Sequence, residues 1–200
     1  MFVIIDYGAG NIKSVSKALD YLKAKHKITN SPKDIANAEK LIFPGVGNFG
    51  EVMAQLEKLK LIRPIKEFIS SGKPYLGICL GLQVLFESSE ESSGVKGLGI
   101  LKGNVKKLKT KFKIPQIGWN TINIKKKSKL LAGIKEGSYF YFVHSYYVQP
   151  SDKKVILTTT DYETEFVSAV EKENIYAVQF HPEKSGDAGL KVLENFVKIF

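Results

Sequence analysis

The sequence predicts an α/β fold: an open, mostly parallel sheet flanked by helices, with an additional antiparallel or mixed β section in the second half. Apolar runs that alternate with helical patterns in the first half predict the parallel sheet. β-branched and aromatic runs separated by short turns predict the later strands. No Pro/Gly/Ser-rich stretch divides the 200 residues, so we expect one domain over residues 1–200.

The first half alternates strands and helices from its first residues onward. Its predicted strands are residues 2–6, a strand that begins at His26, and residues 41–43 and 75–79. Its predicted helices are residues 12–22, 52–59, 64–70 and 80–86. Apolar side chains recur at helical spacing in these segments, whereas the strands are short apolar runs that end in turns. This alternation is typical of a parallel sheet with helices on both faces.

The second half is dominated by strands and closes with a helix. The predicted strands are residues 98–108, 114–124, 139–148, 155–160, 166–171 and 175–180. Residues 187–200 predict an amphipathic helix, because Leu190, Leu193 and Phe196 recur on one side of it.

The composition argues against several classes of function. The net charge is +10, but Arg63 is the only arginine, and the lysine runs at 106–109 and 125–127 contain no aromatic residue for base stacking. Nucleic-acid binding is therefore the weaker alternative to solvated lysine faces. No stretch of about twenty apolar residues predicts a membrane span, and the single cysteine fits a reducing compartment, so we expect a cytoplasmic protein.

Cys79 lies at the junction of a predicted strand and a predicted helix, in the sequence Gly77-Ile78-Cys79-Leu80-Gly81. This is the thiol version of the G-x-S-x-G nucleophile elbow, in which glycines make room for a sharp turn. A helix N-terminus favours the thiolate, and the Leu80 N–H becomes a donor to an oxyanion. The alternative is that Cys79 is a small buried side chain without chemistry.

A nucleophilic cysteine needs a base, and the chain has three histidines: His26, His144 and His181. We expect His26, between two lysines, on the surface. His181 follows an apolar strand, where α/β sheets place their sites, and Glu183 is near enough in sequence to orient its ring. The alternative is a strand-end histidine beside an unrelated glutamate.

A glycine turn follows another apolar strand at residues 44–47, Pro-Gly-Val-Gly. Glycines allow backbone N–H groups to face a ligand. Beside a cysteine elbow, Val46 and Gly47 are the expected second part of an oxyanion hole, although the motif alone is also a common tight turn.

Taken together, P-G-x-G, G-x-C-x-G and H-P-E in this order resemble the class I, triad-type glutamine amidotransferase family over nearly the whole chain. Further segments resemble its subfamily of glutaminase subunits of imidazole glycerol phosphate synthases. These segments are residues 6–11, 44–49, 118–120, 141–147 and 179–186. Two departures are visible. Gln116 replaces an expected histidine, which affects contacts near Trp119, and Glu163 follows Tyr162 where glycine is usual, which changes a turn.

The resemblance implies glutamine hydrolysis by a triad of Cys79, His181 and Glu183, without a cofactor or a metal. It assigns the oxyanion to backbone N–H groups of Val46, Gly47 and Leu80. It assigns glutamine binding to Gly45, Gln83, Ser145 and Tyr146.

The resemblance also implies a heterodimer with a (β/α)₈ cyclase subunit, which receives the ammonia and makes imidazole glycerol phosphate in histidine biosynthesis. Trp119, Tyr141 and Lys184 are then expected near the interface. The alternatives are a glutaminase component for anthranilate, pyridoxal phosphate or purine synthesis, and a catalytically idle binding subunit of the same fold.

Overall fold

A mixed sheet of eleven strands runs through the computed structural model, which describes residues 1–199. The strands are β1 (Phe2–Ile5), β2 (His26–Thr29), β3 (Lys40–Gly45), β4 (Tyr75–Cys79), β5 (Ser88–Ser89), β6 (Gly103–Lys107), β7 (Gln116–Thr121), β8 (Asn123–Ile124), β9 (Tyr139–His144), β10 (Tyr146–Pro150), β11 (Ile156–Tyr162), β12 (Thr164–Lys172) and β13 (Ile175–Val178). The helices are α1 (Ile12–Tyr21), α2 (Pro32–Asn37), α3 (Phe49–Lys58), α4 (Ile62–Ser70), α5 (Leu80–Gln83) and α6 (Gly186–Lys198).

The parallel part of the main sheet has the order β2-β1-β3-β4-β13. Apart from the half-exposed edge strand β2, its strands are almost completely buried because helices cover both faces. Val3 and Ile5 pack with residues of α3 and α4 on one face, and Ile4 packs with residues of α1 and α6 on the other. The predicted parallel sheet flanked by helices is therefore confirmed.

The antiparallel section continues the same sheet from β13 through β12, β10 and β6, with β11 beside β12. Strands β7 and β9 form a separate antiparallel pair within residues 1–199. The predicted antiparallel or mixed section is confirmed. The predicted strand at 139–148 is in fact two strands, because the chain passes at Ser145 from the two-stranded sheet into the main sheet.

Two predicted elements are shorter than expected for one shared reason. The helix predicted at 80–86 ends at Gln83, and the strand predicted at 98–108 begins at Gly103. The carbonyl of Val84 accepts the N–H of Leu98 at 2.7 Å, and the neighbouring carbonyls accept N–H groups from residues 99–101. These loop contacts replace the helical hydrogen bonds, so both segments are irregular.

Smaller differences concern turns and ends. Helix α2 was not predicted, although Ser31 caps it by accepting the Asp34 N–H at 3.4 Å. Glu163, one of the two departures, adopts φ +62° in the turn between β11 and β12, and its carboxylate accepts the Thr110 hydroxyl at 2.8 Å. The predicted last helix ends at Lys198, and residue 200 lies outside the described residues. In residues 1–199, no helix has both the length and the apolar character needed to cross a bilayer.

Candidate active site

Cys79 occupies a strained backbone conformation at the end of β4. Its φ is +55° and its ψ is −106°, in the left-handed region that side chains seldom adopt. Such strain persists where the surrounding structure imposes it, and it clusters at functional sites. The elbow predicted from the sequence is therefore present in the backbone.

Two glycines flank the elbow where the chain leaves no space for a side chain. A Cβ atom on Gly77 would lie 2.3 Å from the carbonyl oxygen of Gly81. A Cβ atom on Gly81 would lie 1.9 Å from the carbonyl oxygen of Phe43. The close approach of β3, β4 and α5 at this edge depends on both glycines. Because α5 has only four residues, it supplies no long helix dipole at the sulfur, contrary to the expectation from the sequence.

His181 and Glu183 are paired directly behind the elbow. The ring Nδ1 of His181 donates to Oε1 of Glu183 at 2.8 Å, and both side chains are almost completely buried. Strand β13 is parallel to β4, with Val178 opposite Ile78, so the chain after β13 emerges at the same sheet edge as Cys79. The His181–Glu183 pair therefore lies at the same edge of the sheet as Cys79, as the sequence predicted.

The charges of the pair determine the protonation state of His181. Burial lowers the pKa of His181, but hydrogen bonding and electrostatic attraction from Cys79 and Glu183 outweigh burial and raise the pKa to about 10. Nε2 of His181 is buried and has no partner of ordinary hydrogen-bond geometry among residues 1–199. The contact with the Glu183 carboxylate therefore favours the charged imidazolium form of the ring, although His181 is not among the residues that line the cavity beside Cys79.

A buried glutamine network supports the sulfur from the other side. Gln179 Nε2 donates to Sγ of Cys79 at 3.5 Å, and its Oε1 accepts Nε2 of Gln83 at 3.0 Å. Gln83 also donates to the carbonyl of Tyr146 at 3.1 Å. Gln179 was not among the site residues predicted from the sequence. The available signal in the sequence was a polar residue within an apolar strand segment. In the structure this residue is wholly buried.

A cavity of about 190 Å³ opens beside Cys79. Of the predicted site residues, it is lined by Val46, Gly47, Cys79, Leu80, Gln83, Ser145 and Tyr146. Glu91 also lines it, and its carboxylate accepts the Phe49 N–H at 2.7 Å. Gly45 does not line the cavity: it pairs with Cys79 inside the sheet, and a Cβ there would lie 2.6 Å from Cβ of Leu80.

The expected oxyanion donor at Val46 is occupied in this structure. The Val46 N–H donates to the Tyr7 hydroxyl at 3.0 Å, and that hydroxyl donates to the Val46 carbonyl at 3.2 Å. Burial raises the pKa of Tyr7 to about 12, so the hydroxyl is neutral and can perform both roles. Val46 can serve an oxyanion only after this contact opens.

The expected interface residues form one exposed aromatic face. Trp119 and Tyr141 are opposite each other in β7 and β9, with their rings 6.1 Å apart in an edge-on arrangement. Nζ of Lys184 lies 5.8 Å from the centre of the Tyr141 ring. Ile117 and Tyr139 share this face and are each 61% exposed. A large exposed apolar face is typical of an interaction site.

The other two histidines have structural partners. His26 was expected on the surface, and this was wrong: its ring contacts the Ser16 hydroxyl at 2.7 Å and its side chain is 8% exposed. His144 contacts the Tyr146 carbonyl at 2.8 Å and the side-chain amide of Gln116 at 2.9 Å. Gln116 is thus a buried partner of His144, in the same strand β7 that carries Trp119.

No group of three or more His, Cys, Asp or Glu side chains in residues 1–199 is arranged to hold a metal ion.

Known proteins resemble this chain over almost its whole length. A family model for class I glutamine amidotransferases matches residues 3–200. The imidazole glycerol phosphate synthase subunit HisH of Methanocaldococcus jannaschii is 52% identical over 199 residues, covering 100% of both chains. The HisH subunit of Pyrococcus furiosus is 56% identical over 197 residues, covering 98% of this chain and 97% of that one. A solved structure described as a glutamine amidotransferase has a TM-score of 0.77 at 16% identity, covering 98% and 99%.

Proposed function

This chain belongs to the class I glutamine amidotransferase family, and we propose that it hydrolyses the side-chain amide of glutamine with Cys79, His181 and Glu183. Its activity is that of the glutaminase subunit of imidazole glycerol phosphate synthase, in histidine biosynthesis. The main support for this triad is the strained elbow at Cys79 beside a buried His181–Glu183 pair.

Catalysis begins with the thiolate of Cys79 facing the imidazolium of His181. The sulfur attacks the carboxamide carbon of glutamine, and the carbonyl π electrons move to the oxygen to give a tetrahedral oxyanion. The N–H groups of Leu80 and of the Val46–Gly47 segment stabilise this anion, at about 3 kcal/mol for each donor. Nε2 of His181 gives its proton to the nitrogen, the C–N bond breaks, and ammonia leaves a glutamyl thioester.

Hydrolysis of the thioester restores the enzyme. The neutral His181 takes a proton from water, and the water oxygen adds to the thioester carbon. The C–S bond then breaks, which releases glutamate and returns the thiolate and the imidazolium. Glu183 keeps its hydrogen bond to Nδ1 in both steps, so the ring is oriented with Nε2 toward the substrate.

Glutamine recognition is assigned to the cavity walls. We assign Gln83, Ser145 and Tyr146 to the amino-acid end of the substrate, with main-chain groups of the last two taking part. The carboxylate of Glu91 adds a negative group to the same cavity, which suits the α-ammonium of glutamine. The assignment of Gly45 to substrate binding is weaker, because its position inside the sheet supports close packing instead.

The aromatic face of β7 and β9 is assigned to the partner subunit. Val143 of β9 lines the cavity, and its carbonyl lies 3.9 Å from the Cys79 sulfur, so the face and the site share one strand. We assign it to a (β/α)₈ cyclase subunit in a cytoplasmic heterodimer, with Trp119, Tyr141 and Lys184 at the contact. Ammonia released at Cys79 would then leave toward the partner rather than into water.

Glutamate release by the chain mixed with the cyclase tests this function. Cys79→Ala should lower turnover by at least about a thousandfold, because the nucleophile is lost. His181→Asn should have a comparable effect, whereas His26→Asn, whose ring contacts Ser16 and Ala24, should keep its turnover. Substantial activity in Cys79→Ala, with the fold intact by circular dichroism, would refute the triad.

A further inference from the structure

The carboxylate of Glu183 receives a second hydrogen bond from a distant part of the chain. Nδ2 of Asn11 donates to Oε1 at 2.9 Å, across 172 residues of sequence. The same oxygen accepts Nδ1–H of His181 at 2.8 Å, whereas Oε2 is buried without a partner among residues 1–199. Within the described chain, Asn11 and His181 are thus the donors to a carboxylate that has no solvent-exposed surface.

Asn11 occupies the position before α1 without performing the usual task of that position. Asparagine is among the best residues at a helix N-cap, where its side chain accepts a backbone N–H. Here the side chain makes no capping hydrogen bond. Its Oδ1 accepts the Ser14 hydroxyl at 2.7 Å instead. This contact occupies the oxygen end of the amide, so the NH₂ end faces Glu183.

We propose that Asn11 is a positioning residue for the reaction, which holds the carboxylate of Glu183 oriented toward His181. The inference rests on the proposed glutaminase function. Removal of a carboxylate from water disfavours its charged form, and a hydrogen bond donated to that form offsets the loss. An ionised Glu183 in turn favours the imidazolium of His181. Asn11 is not among the residues that line the cavity beside Cys79, so it acts through these two side chains.

Three substitutions separate this role from a role in the helix. Asn11→Asp keeps a side-chain oxygen that can accept the Ser14 hydroxyl, whereas Asn11→Ser and Asn11→Ala remove the amide that donates to Glu183. Serine is too short to replace the amide that reaches Glu183. Aspartate can donate to Glu183 only while it carries a proton, and once ionised it repels the neighbouring carboxylate.

The expected results concern kcat and its pH dependence, measured as glutamate release by the full chain with the cyclase. Asn11→Ser and Asn11→Ala should lower kcat roughly tenfold while KM stays within about twofold, because the lost donor served a charged group. Asn11→Asp should gain a titration that the wild type lacks, with activity kept at acid pH and lost as the pH rises. Wild-type kcat and pH profiles in both Asn11→Ser and Asn11→Asp would overturn the proposal.

Alkylation of Cys79 by iodoacetamide separates this proposal from the glutaminase function. Cys79 is the only cysteine, so labelling reports one thiol. Asn11→Ala and Asn11→Ser should be alkylated more slowly than the wild type at neutral pH, because a weaker imidazolium supports less thiolate. If the wild type releases no glutamate but the variants still alkylate slowly, the glutaminase function fails and the positioning role stands. If the wild type turns over and the variants match it in both assays, the positioning role fails alone.

Discussion

The backbone carbonyl of Tyr141 accepts the N–H of His181 at 2.9 Å. Ser185 bridges the same two residues, because its hydroxyl donates to the His181 carbonyl at 2.6 Å and accepts the Tyr141 N–H at 2.9 Å. The Tyr141 ring belongs to the exposed aromatic face, beside Trp119. A partner that moves β9 would therefore move His181, the proposed base, through main-chain contacts.

Ser185→Ala should weaken this coupling. The change leaves the Tyr141 N–H without its partner at a buried site, which costs about 1–3 kcal/mol of stability. We expect the ratio of cyclase-stimulated to basal glutaminase rates to fall, because His181 is less firmly tied to β9. The measurement is that ratio, together with the melting temperature. If the variant is destabilised but the ratio is unchanged, the Ser185 hydrogen bonds do not couple β9 to His181.

Tyr7→Phe should raise the basal glutaminase rate of the isolated chain. The substitution removes the hydroxyl that occupies the Val46 N–H, so this donor becomes available to the oxyanion. A donor worth about 3 kcal/mol sets an upper limit of roughly a hundredfold.

The matched control for Tyr7→Phe is Tyr75→Phe, which also removes a buried hydroxyl. That hydroxyl donates to the Gly81 carbonyl at 2.7 Å, so its loss should destabilise the elbow without raising the basal rate. A basal rate in Tyr7→Phe at or below the wild-type rate would contradict the interpretation of the Tyr7–Val46 contact.

Trp119→Ala should weaken binding to the cyclase by at least about 2 kcal/mol, because large aromatic side chains at the centre of an interface contribute most. Trp119 is 56% exposed, so the folded chain should keep its melting temperature. Tyr21→Ala is the control, since Tyr21 is 74% exposed on α1, outside the aromatic face. Isothermal titration with the cyclase measures the affinity of each variant. If Trp119→Ala and Tyr21→Ala bind with equal affinity, the interface lies elsewhere.

His144 should make the fold sensitive to acid. Burial lowers the pKa of His144 from 6.5 to about 4, although the hydrogen bond to the Tyr146 carbonyl acts in the opposite direction. The unfolded chain therefore binds a proton at a higher pH than the folded chain does. Stability from this source is present above pH 6.5 and is lost as the pH falls through about 4, by about 3 kcal/mol. Urea unfolding measures the free energy of unfolding of the wild type and of His144→Gln from pH 7 to pH 4, and the two values should diverge as the pH falls. The same pH dependence in both proteins would contradict this role of His144.

The residues at the ends of apolar strands were predictable from the sequence. Cys79, His181 and the turn at residues 44–47 each follow such a strand, and parallel strands bring their carboxyl ends to one edge. The positions of these groups therefore follow from local patterns and a single rule of topology. The exposed face was predicted only through the family resemblance, because alternation in β7 and β9 does not say which face is solvent.

Supporting residues were missed where their partners are far away in sequence. Tyr7 contacts Val46 across 39 residues, Asn11 contacts Glu183 across 172, and Gln179 contacts Cys79 across 100. No local periodicity records such pairs. The early end of α5 was missed for a similar reason, since Val84 bonds to Leu98 rather than within the helix. Local patterns thus predicted the candidate site residues, while tertiary contacts alone show what holds them in place.

Strand β13 joins the two halves of the sheet: it is parallel to β4 on one side and antiparallel to β12 on the other. Cys79 ends β4 and His181 follows β13, so the proposed nucleophile and base lie on either side of this seam between β4 and β13. Any opening between β4 and β13 would separate the reacting atoms before it exposed much of either core. Backbone amides of β4 and β13 should accordingly be among the slowest in the molecule to exchange with deuterated solvent. Opening the sheet between these strands disrupts both the fold and the active site.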